Sequence, residues 1–497
     1  SLSYNYLMKY KKHFFISFLI STFLISNLLY AAEDLNLTEN KVWTVNPLEF
    51  STVPTAEEDT DLAACEVWDV QPFVFSKVSN VDEDQNLTAC NKEWIILPFA
   101  FSTDSAGLAG GVGVIKQGLF QPQTTFVAAV FSGFTQDITT NGEADEARFS
   151  GGFISFSDYK LPNTERLFFS FTGFKSYFPK EHYHFNGSND SNKDDVFISS
   201  GDSNFFHTTF RYVLPLGAGL ENPGGACSLL DGFAIGRHAC GSGTPLLSGS
   251  TSIGLKTFYQ SNSFENWQDF SIWENEDLTS EPKWETNGLR FFLTHENTDF
   301  DLNPSRGYHF ELQYSKDFDW GDSTQSWDFL EFKYNHYFPL DSFSFTKQNV
   351  LALSMWTGYS FSWDNDSEIA PGLNAHRPPI WEGARLGGYS RMRGYDKDRF
   401  SDKAVSYATA EYRAILKYNP LKNNDLVPLK VDWFQLVGFV EVGRVHDQYN
   451  FDLLSDMKYD VGVSLRAMVE EIPMRLEVAS GDEGTNVWLM VNQPFDF

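Results

Sequence analysis

The residues best suited to a specific chemical role are one arginine and two glutamates near the end of the chain. The arginine stands in the run Arg393-Gly394-Tyr395, which follows Gly387-Gly388 inside the polar segment 360–403. Glu411 and Glu441 lie on the polar faces of the next two strand-like segments. A guanidinium bonds a carboxylate through two parallel N–H groups, and such pairs are strong where water is scarce. The pattern predicts a loop folded back into a β-barrel and anchored to its inner wall.

The alternation of side chains supports this geometry. On segment 404–416, Thr409, Glu411 and Arg413 share one face, while alanines and Tyr412 occupy the other. Glu441 likewise opposes apolar neighbours on segment 432–442. Both carboxylates are therefore expected to point into the lumen of a barrel. The alternative from these residues alone is that Arg393 is a solvated loop residue.

Motifs for catalysis and metal binding are weak. The chain has no Gly-x-Ser-x-Gly, P-loop, dinucleotide-binding or His-Glu-x-x-His sequence. A Ser/His phospholipase on a membrane barrel stays open as a minor alternative, but no pair stands out. Asp190-x-Asn192-x-Asp194 resembles the start of a calcium loop, yet Asp195 and Gly201 stand where glycine and glutamate are needed. We expect no enzyme activity, no cofactor and no metal.

The composition is typical of strands that alternate between lipid and water. The 497 residues include 47 Phe, 21 Tyr and 13 Trp, yet the mean hydropathy is −0.31. Many aromatic residues with little net hydrophobicity fit a transmembrane β-barrel better than a helical membrane protein. The formal net charge of −29 argues against a nucleic-acid partner. The acidic residues are interpreted as solvated loops and lumen.

Period-2 alternation dominates the chain from residue 97 onward. A soluble sandwich would also alternate, but here Lys, Glu and Arg repeatedly occupy the second face, and short turns alternate with long polar loops. We therefore predict an all-β fold, a transmembrane antiparallel barrel of about sixteen strands with both termini in the periplasm. The predicted strands are 97–103, 108–117, 124–136, 146–158, 165–174, 206–216, 251–261, 286–297, 308–317, 326–337, 347–359, 404–416, 432–442, 458–469, 473–481 and 486–497.

The N-terminal part is expected to hold a signal and a repeated unit. Residues 1–32 are interpreted as read-through followed by a cleaved secretory signal, with one transmembrane helix as the alternative. Residues 33–94 form an acidic region in which Trp-x-x-x-Pro-x-x-Phe-Ser recurs from Trp43, Trp68 and Trp94. The first two copies are interpreted as a semi-ordered tail or as strand-like decoys of the third. The barrel domain is predicted at 95–497.

Four cysteines behind a signal sequence indicate an oxidising compartment. They are Cys65, Cys90, Cys227 and Cys240. Of the three connectivities, pairing 65 with 90 and 227 with 240 closes the shortest loops, and the connectivity stays open. Zinc is a weak alternative, because no Cys-x-x-Cys or histidine cluster accompanies them.

The first and last strands must meet to close the barrel. Pro98 in the first and Pro494 in the last cannot donate ladder hydrogen bonds, which predicts a weak seam unless both lie beyond the paired region. Phe495 and Phe497 are expected to share the outward face of the last strand, as the terminal insertion signal of outer-membrane barrels does.

These residues together resemble the outer-membrane assembly superfamily of BamA, TamA and the two-partner-secretion transporters, also called bacterial surface antigens. The resemblance covers roughly 97–497 and is most specific over 386–497. It implies that Arg393 sits inside the barrel and pairs with Glu411 on the twelfth strand and Glu441 on the thirteenth, where the family often has aspartate. It also suggests a form lacking POTRA domains.

The resemblance implies a function in inserting or translocating proteins, or lipid, at the outer membrane of a Gram-negative bacterium. The implied partners are outer-membrane lipid and lipopolysaccharide, the assembly machinery for the chain's own insertion, and client outer-membrane or secreted proteins. A passive channel or structural surface barrel is the alternative, since client delivery normally uses POTRA domains.

Overall fold

Sixteen antiparallel strands form one closed barrel, and each strand pairs with the next along the chain. The strands are β1 Ile95–Thr103, β2 Gly107–Gln117, β3 Thr125–Phe134, β4 Arg148–Lys160, β5 Leu167–Tyr183, β6 Phe197–Val213, β7 Ser250–Ser263, β8 Lys283–Thr298, β9 Gly307–Asp317, β10 Trp327–Leu340, β11 Thr346–Tyr359, β12 Ala404–Leu416, β13 Val431–His446, β14 Lys458–Val469, β15 Ile472–Gly481 and β16 Thr485–Val491. The predicted fold class and strand number are confirmed.

The structure is a computed structural model. It describes residues 94–103, 107–121, 123–134, 138–140, 143–145, 148–220, 222–224, 228–230, 233–235, 248–265, 282–370, 373–422, 430–470, 472–491 and 494–495. The predicted signal, the first two repeats, all four cysteines and Phe497 lie outside these residues. Among the described residues, no helix is long and apolar enough to cross a membrane.

The two faces of each strand differ in the way that a lipid-facing barrel requires. On β13, Leu436 is 48% exposed and Val440 is 43% exposed, whereas Phe439 and Glu441, the two neighbours of Val440, are buried. The exposed apolar set therefore faces lipid and the buried set faces the lumen. The loop end of the barrel carries the connections 184–196, 318–326, 360–403 and 447–457. The opposite end, where β1 begins, is called the turn end.

β5 and β6 are longer than the sequence predicts. Each has 17 residues, which corresponds to about 55 Å of strand, whereas about 9–11 residues cross a bilayer. The added segments lie at the loop end and include Pro179. The pairing register shifts between Phe178 and Glu181, so the proline lies at an irregularity of the ladder rather than inside a regular stretch. The extension was missed because this segment also carries charged residues.

The last strand is shorter than predicted. β16 ends at Val491, and Phe495 does not continue its outward face. Instead Phe495 is 3% exposed and packs in the lumen beside Tyr337, with the Arg413 guanidinium 4.8 Å from its ring centroid. Pro494 cannot donate a ladder hydrogen bond and lies beyond the strand, which accounts for the early end.

Among the described residues, the seam between β1 and β16 is the shortest ladder in the barrel. One described pair, Ser102 with Leu489, joins the two strands, whereas β1 pairs with β2 over nine residue pairs. Pro98 lies within β1, opposite Val112. In the described residues, the stretch from Ile95 to Phe101 thus has a complete ladder on one side only.

Candidate functional site: a loop anchored in the lumen

The segment between β11 and β12 turns into the barrel through a short hairpin. Ala384–Leu386 pairs with Phe400–Asp402, and two glycines with positive φ follow it, Gly387 at +112° and Gly388 at +101°. A Cβ on Gly387 would lie 2.1 Å from the carbonyl oxygen of Asp396. Only glycine fits this close approach, so the double glycine sets the path of the loop.

Arg393 at the tip of this loop is fully buried and meets three carboxylates. Its Nη2 lies 2.9 Å from Glu411 Oε1, its Nε 3.1 Å from Glu441 Oε2, and its Nη1 2.9 Å from Glu477 Oε1. Burial by itself would lower the pKa of Arg393, but the three glutamates raise it well above the usual value. The guanidinium also lies 3.5 Å from the centroid of the Phe439 ring. The arginine is therefore held charged on the inner wall.

The loop backbone is bound as well as the side chain. Glu441 accepts from the Arg393 N–H at 2.7 Å, and Asp460 accepts from the Gly394 N–H at 3.0 Å. The indole of Trp488, on β16, donates to the Arg393 carbonyl at 2.8 Å. The Tyr395 hydroxyl donates to the Tyr459 carbonyl at 3.0 Å. These bonds fix the tip against three strands, β13, β14 and β16.

Further arginines complete the buried network. Glu411 also accepts from Arg413 at 2.8 Å and from Arg466 at 2.9 Å, and Glu477 contacts Arg466 and Arg475. The network thus joins Arg393, Arg413, Arg466 and Arg475 to Glu411, Glu441, Asp460 and Glu477. Each of the four guanidinium groups contacts at least one of the glutamates, which is the arrangement that makes burial of so many charges tolerable.

The sequence identifies part of this site. It predicts Arg393, Glu411 and Glu441, and the structure places all three in contact. It does not single out Glu477, although this residue lies between two apolar neighbours on a predicted strand and shares its polar face with Arg475. The alternation that selected Glu411 would also have selected Glu477. The sequence pattern does not give the curvature of the barrel, which brings β15 towards β12.

Gly462 on β14 leaves the space into which the Phe439 ring fits. A Cβ there would lie 2.2 Å from the ring and 2.5 Å from the Val478 carbonyl oxygen. Gly462→Ala is therefore expected to displace the ring beneath Arg393 and to destabilise the barrel by about 1–3 kcal/mol. Urea unfolding in lipid vesicles measures this. Gly438→Ala is the control, because a Cβ at Gly438 meets nothing within 4 Å; equal unfolding free energies for both variants would contradict the packing argument.

A cap at the loop end joins this loop to the β5–β6 connection. Arg399 donates to the Ser191 carbonyl at 2.6 Å and pairs with Glu483 at 2.8 Å. Lys397 pairs with Glu181 at 2.6 Å, and the Gly187 carbonyl accepts from the Ser401 N–H at 2.7 Å. Burial would lower the pKa of Lys397, but Glu181 raises it overall. The inward loop is thus held by contacts at the loop end of the barrel as well as by contacts with the inner wall.

His184 in this cap gives it a pH dependence. The imidazole is 2% exposed, and neither ring nitrogen has a hydrogen-bond partner among the described residues. Burial, followed by the charge of Arg399, lowers its pKa from 6.5 to about 4; Asp396 and Asp398 oppose this and His182 adds to it. A base with a depressed folded-state pKa favours folding above the unfolded value and loses that contribution as the pH falls through the folded one.

We therefore expect the cap to loosen as the pH falls from about 6.5 towards about 4, with a loss of about 2–3 kcal/mol at the lower limit. Protease cleavage within 184–196 should accelerate over this range. In His184→Gln the acceleration should be smaller, because Gln carries no titrating charge. An identical pH profile in both proteins would show that His184 does not govern the cap.

The sixteen-stranded barrel with an arginine-anchored loop in its lumen defines an outer-membrane β-barrel protein. A model of the Omp85 superfamily domain matches residues 163–487, more than half of the chain. The chain belongs to the Omp85 superfamily.

Solved structures with a similar arrangement share little sequence with the chain. BamA from Haemophilus ducreyi lacking POTRA domains 1-3 is 12% identical with a TM-score of 0.44, over 80% of this chain and 70% of that one. CdiB from Acinetobacter baumannii is 12% identical with a TM-score of 0.45, over 80% of this chain and 59% of that one. CdiB from Escherichia coli is 11% identical with a TM-score of 0.48, over 81% of this chain and 63% of that one. The chain spans less than two thirds of both CdiB chains. No curated protein matches it.

Proposed function

We propose that this protein assists the insertion or translocation of proteins at the outer membrane of a Gram-negative bacterium, through the seam between β1 and β16. The observation that carries the proposal is that Ser102–Leu489 is the one pair at that seam in the part of the chain that the structure describes. A β1 edge with few partners offers free backbone groups to an incoming strand, which is the basis of strand addition. Membership of the Omp85 superfamily supports the same activity.

The anchored loop has a supporting role in this proposal. Arg393 binds three strands on one side of the seam, and the Trp488 indole of β16 donates to its carbonyl. With β12 to β16 held together in this way, opening would separate β1 from β16 rather than break another ladder. The loop would keep the remainder of the barrel rigid while the seam opens.

A reversible disulfide across the seam tests the proposal. In a variant with the four native cysteines replaced by serine, Ser102→Cys and Leu489→Cys place thiols at the paired positions. Under oxidising conditions the locked protein is expected to lower the levels of other outer-membrane barrels, and reduction should restore them. The two single-cysteine variants are the controls. Normal barrel levels in fully locked cells would refute the insertion role.

The second candidate is a passive channel or structural surface barrel, the function that locked cells with normal barrel levels would favour. One observation supports it. A cavity of about 220 Å³ lies in the lumen near the turn end, with Glu296, Glu311 and Lys333 among its lining residues. A polar cavity of this kind could form part of a water-filled pathway, and conductance of the locked protein in planar bilayers would measure it.

A further inference from the structure

The inner wall of the barrel differs sharply between its two halves. From β7 to β15 the inward positions carry many charged residues, including the network around Arg393. From β1 to β6 the inward positions carry a continuous set of aromatic rings in mutual contact, called here the phenylalanine wall. Its members are Phe99, Phe101, Phe131, Phe149, Phe174, Phe178 and Phe205.

These rings face the lumen and not the lipid. On β3, Phe131 is one residue from Val130, which is 67% exposed on the outer surface. On β1, Phe99 and Phe101 likewise alternate with Ile96, which is 64% exposed. The wall rings are half-buried, apart from the fully buried Phe149. The half-buried rings therefore present apolar surface to the inside of the barrel.

Small residues on neighbouring strands allow the rings to lie flat. A Cβ on Gly111 would lie 2.6 Å from the Phe99 ring and 2.9 Å from Phe131 Cβ. A Cβ on Gly151 would lie 2.6 Å from the Phe131 ring. The glycines thus widen this side of the lumen while keeping it apolar. A contiguous apolar surface of this kind marks a binding site.

Charge is absent from the part of the wall on β1 to β4, whereas the inward face of β6 carries Arg211, which pairs with Asp158 at 2.6 Å. β1 and β3 contain no charged residue, and neither does the part of β4 from Phe149 to Ser157. The one charged residue of β2, Lys116, shares the outward face of the strand with the lipid-facing Val112 and lies 6.0 Å from the Trp94 ring centroid. A charged or strongly polar ligand would find no partner here, so the ligand must be largely hydrocarbon.

The wall begins at the seam. Phe99 and Phe101 lie on β1, whose residues from Ile95 to Phe101 have no partner on β16 among the described residues. The hydrocarbon of the bilayer and the apolar side of the lumen are thus separated only by the least-paired strand of the barrel. Continuity with the lipid-facing surface indicates membrane lipid as the source of the occupant.

A polypeptide fits this surface less well. The backbone groups between β1 and β5 are engaged in their mutual ladders, and the open groups of β1 lie in the plane of the sheet towards β16. A peptide lying across the wall would therefore leave its own N–H and C=O groups unpaired at a substantial cost. An acyl chain has no such groups. We propose that the phenylalanine wall binds the acyl chain of a membrane phospholipid that enters the lumen at the β1–β16 seam. This binding does not depend on the proposed insertion activity.

Photocrosslinking of the full chain in vesicles of phosphatidylethanolamine and phosphatidylglycerol tests the proposal. The photoreactive residue p-benzoyl-phenylalanine replaces Phe131 on the wall, Val130 on the lipid face as the positive control, or Phe292, an inward aromatic residue on the charged half. After irradiation, mass spectrometry measures the phospholipid adducts. We expect strong adducts at positions 130 and 131, with the yield at 131 about tenfold above that at 292.

Two results would overturn the proposal. The first is an adduct yield at 131 no higher than at 292, which would mean that lipid does not select the wall. The second is crosslinking of position 131 in cells to polypeptide instead of lipid. A further variant keeps the probe at 131 and adds Phe99→Ser and Phe174→Ser, which should lower the adduct yield about tenfold by removing apolar contact. Heat-modifiability on gels confirms that each variant is folded, and an undiminished yield in a folded double variant would also contradict the assignment.

Discussion

Arg393→Ala is expected to produce the largest loss of stability of any single substitution in the loop. It leaves Glu441, Glu477 and Glu411 without the guanidinium that contacts all three. Removing one partner of a buried ion pair costs about 3–5 kcal/mol, because the remaining charge stays desolvated. The segment 386–400 should detach from the wall, become sensitive to protease, and lower the temperature at which the barrel loses its folded mobility on gels.

Two further variants test whether the loss of stability in Arg393→Ala comes from the buried ion pairs or from the removal of any arginine in the loop. Arg385→Ala is the matched control, since Arg385 lies in the same loop but is 33% exposed and has Asp398 as its one ion-pair partner among the described residues. It should cost at most about 1 kcal/mol. Combining Arg393→Ala with Glu441→Gln should recover part of the loss, because the glutamine removes a buried negative charge that has lost its guanidinium partner. Unchanged protease sensitivity of the loop in Arg393→Ala would show that the arginine is not its anchor.

Glu411→Gln is expected to have the second largest effect, although it changes no more than one oxygen to an NH₂ group. Glu411 is fully buried and is the carboxylate shared by Arg393, Arg413 and Arg466. Without the negative charge of Glu411, three guanidinium groups lie close together with less negative charge to offset their mutual repulsion. The expected loss in the unfolding free energy is about 3–5 kcal/mol, measured by urea titration in lipid vesicles.

The same chemical change at an exposed site provides the comparison for Glu411. Glu165 is 85% exposed and its oxygen lies 3.8 Å from Lys160. Glu165→Gln should alter the unfolding free energy by no more than about 1 kcal/mol. If Glu411→Gln and Glu165→Gln unfold at the same urea concentration, the buried network does not contribute to stability in the way proposed.

The strands of this fold could be predicted because lipid and lumen impose opposite demands on successive residues. β12 and β14 agree with the sequence pattern at both ends, since most of their outward residues are apolar and most of their inward residues are polar. The alternation no longer predicts the structure where a segment does not have lipid on one side and the lumen on the other. Beyond the bilayer, the upper part of β5 alternates less clearly, and after Pro494 the Phe495 side chain turns into the lumen.

The site could be predicted only in part, for a related reason. Arg393 and Glu411 are informative in sequence because each is a charged residue in a distinctive local pattern. Glu477 and Trp488 contact the loop because the barrel wall is curved, which places β15 and β16 around the same loop tip. A pattern with a period of two residues carries no information about which inward positions on distant strands meet across a lumen.

The arrangement of the anchored loop has a consequence for the order in which the barrel assembles. The contacts of Arg393 all lie within the last quarter of the chain, from the loop itself to Trp488. Contacts between residues close in sequence form early, because little chain entropy is lost in closing short loops. The C-terminal strands can therefore gather around the loop while the lumen is still open to one side. The Ser102–Leu489 pair joins the two ends of the sheet and has the greatest sequence separation of any strand contact. It should form last in folding and break first in unfolding.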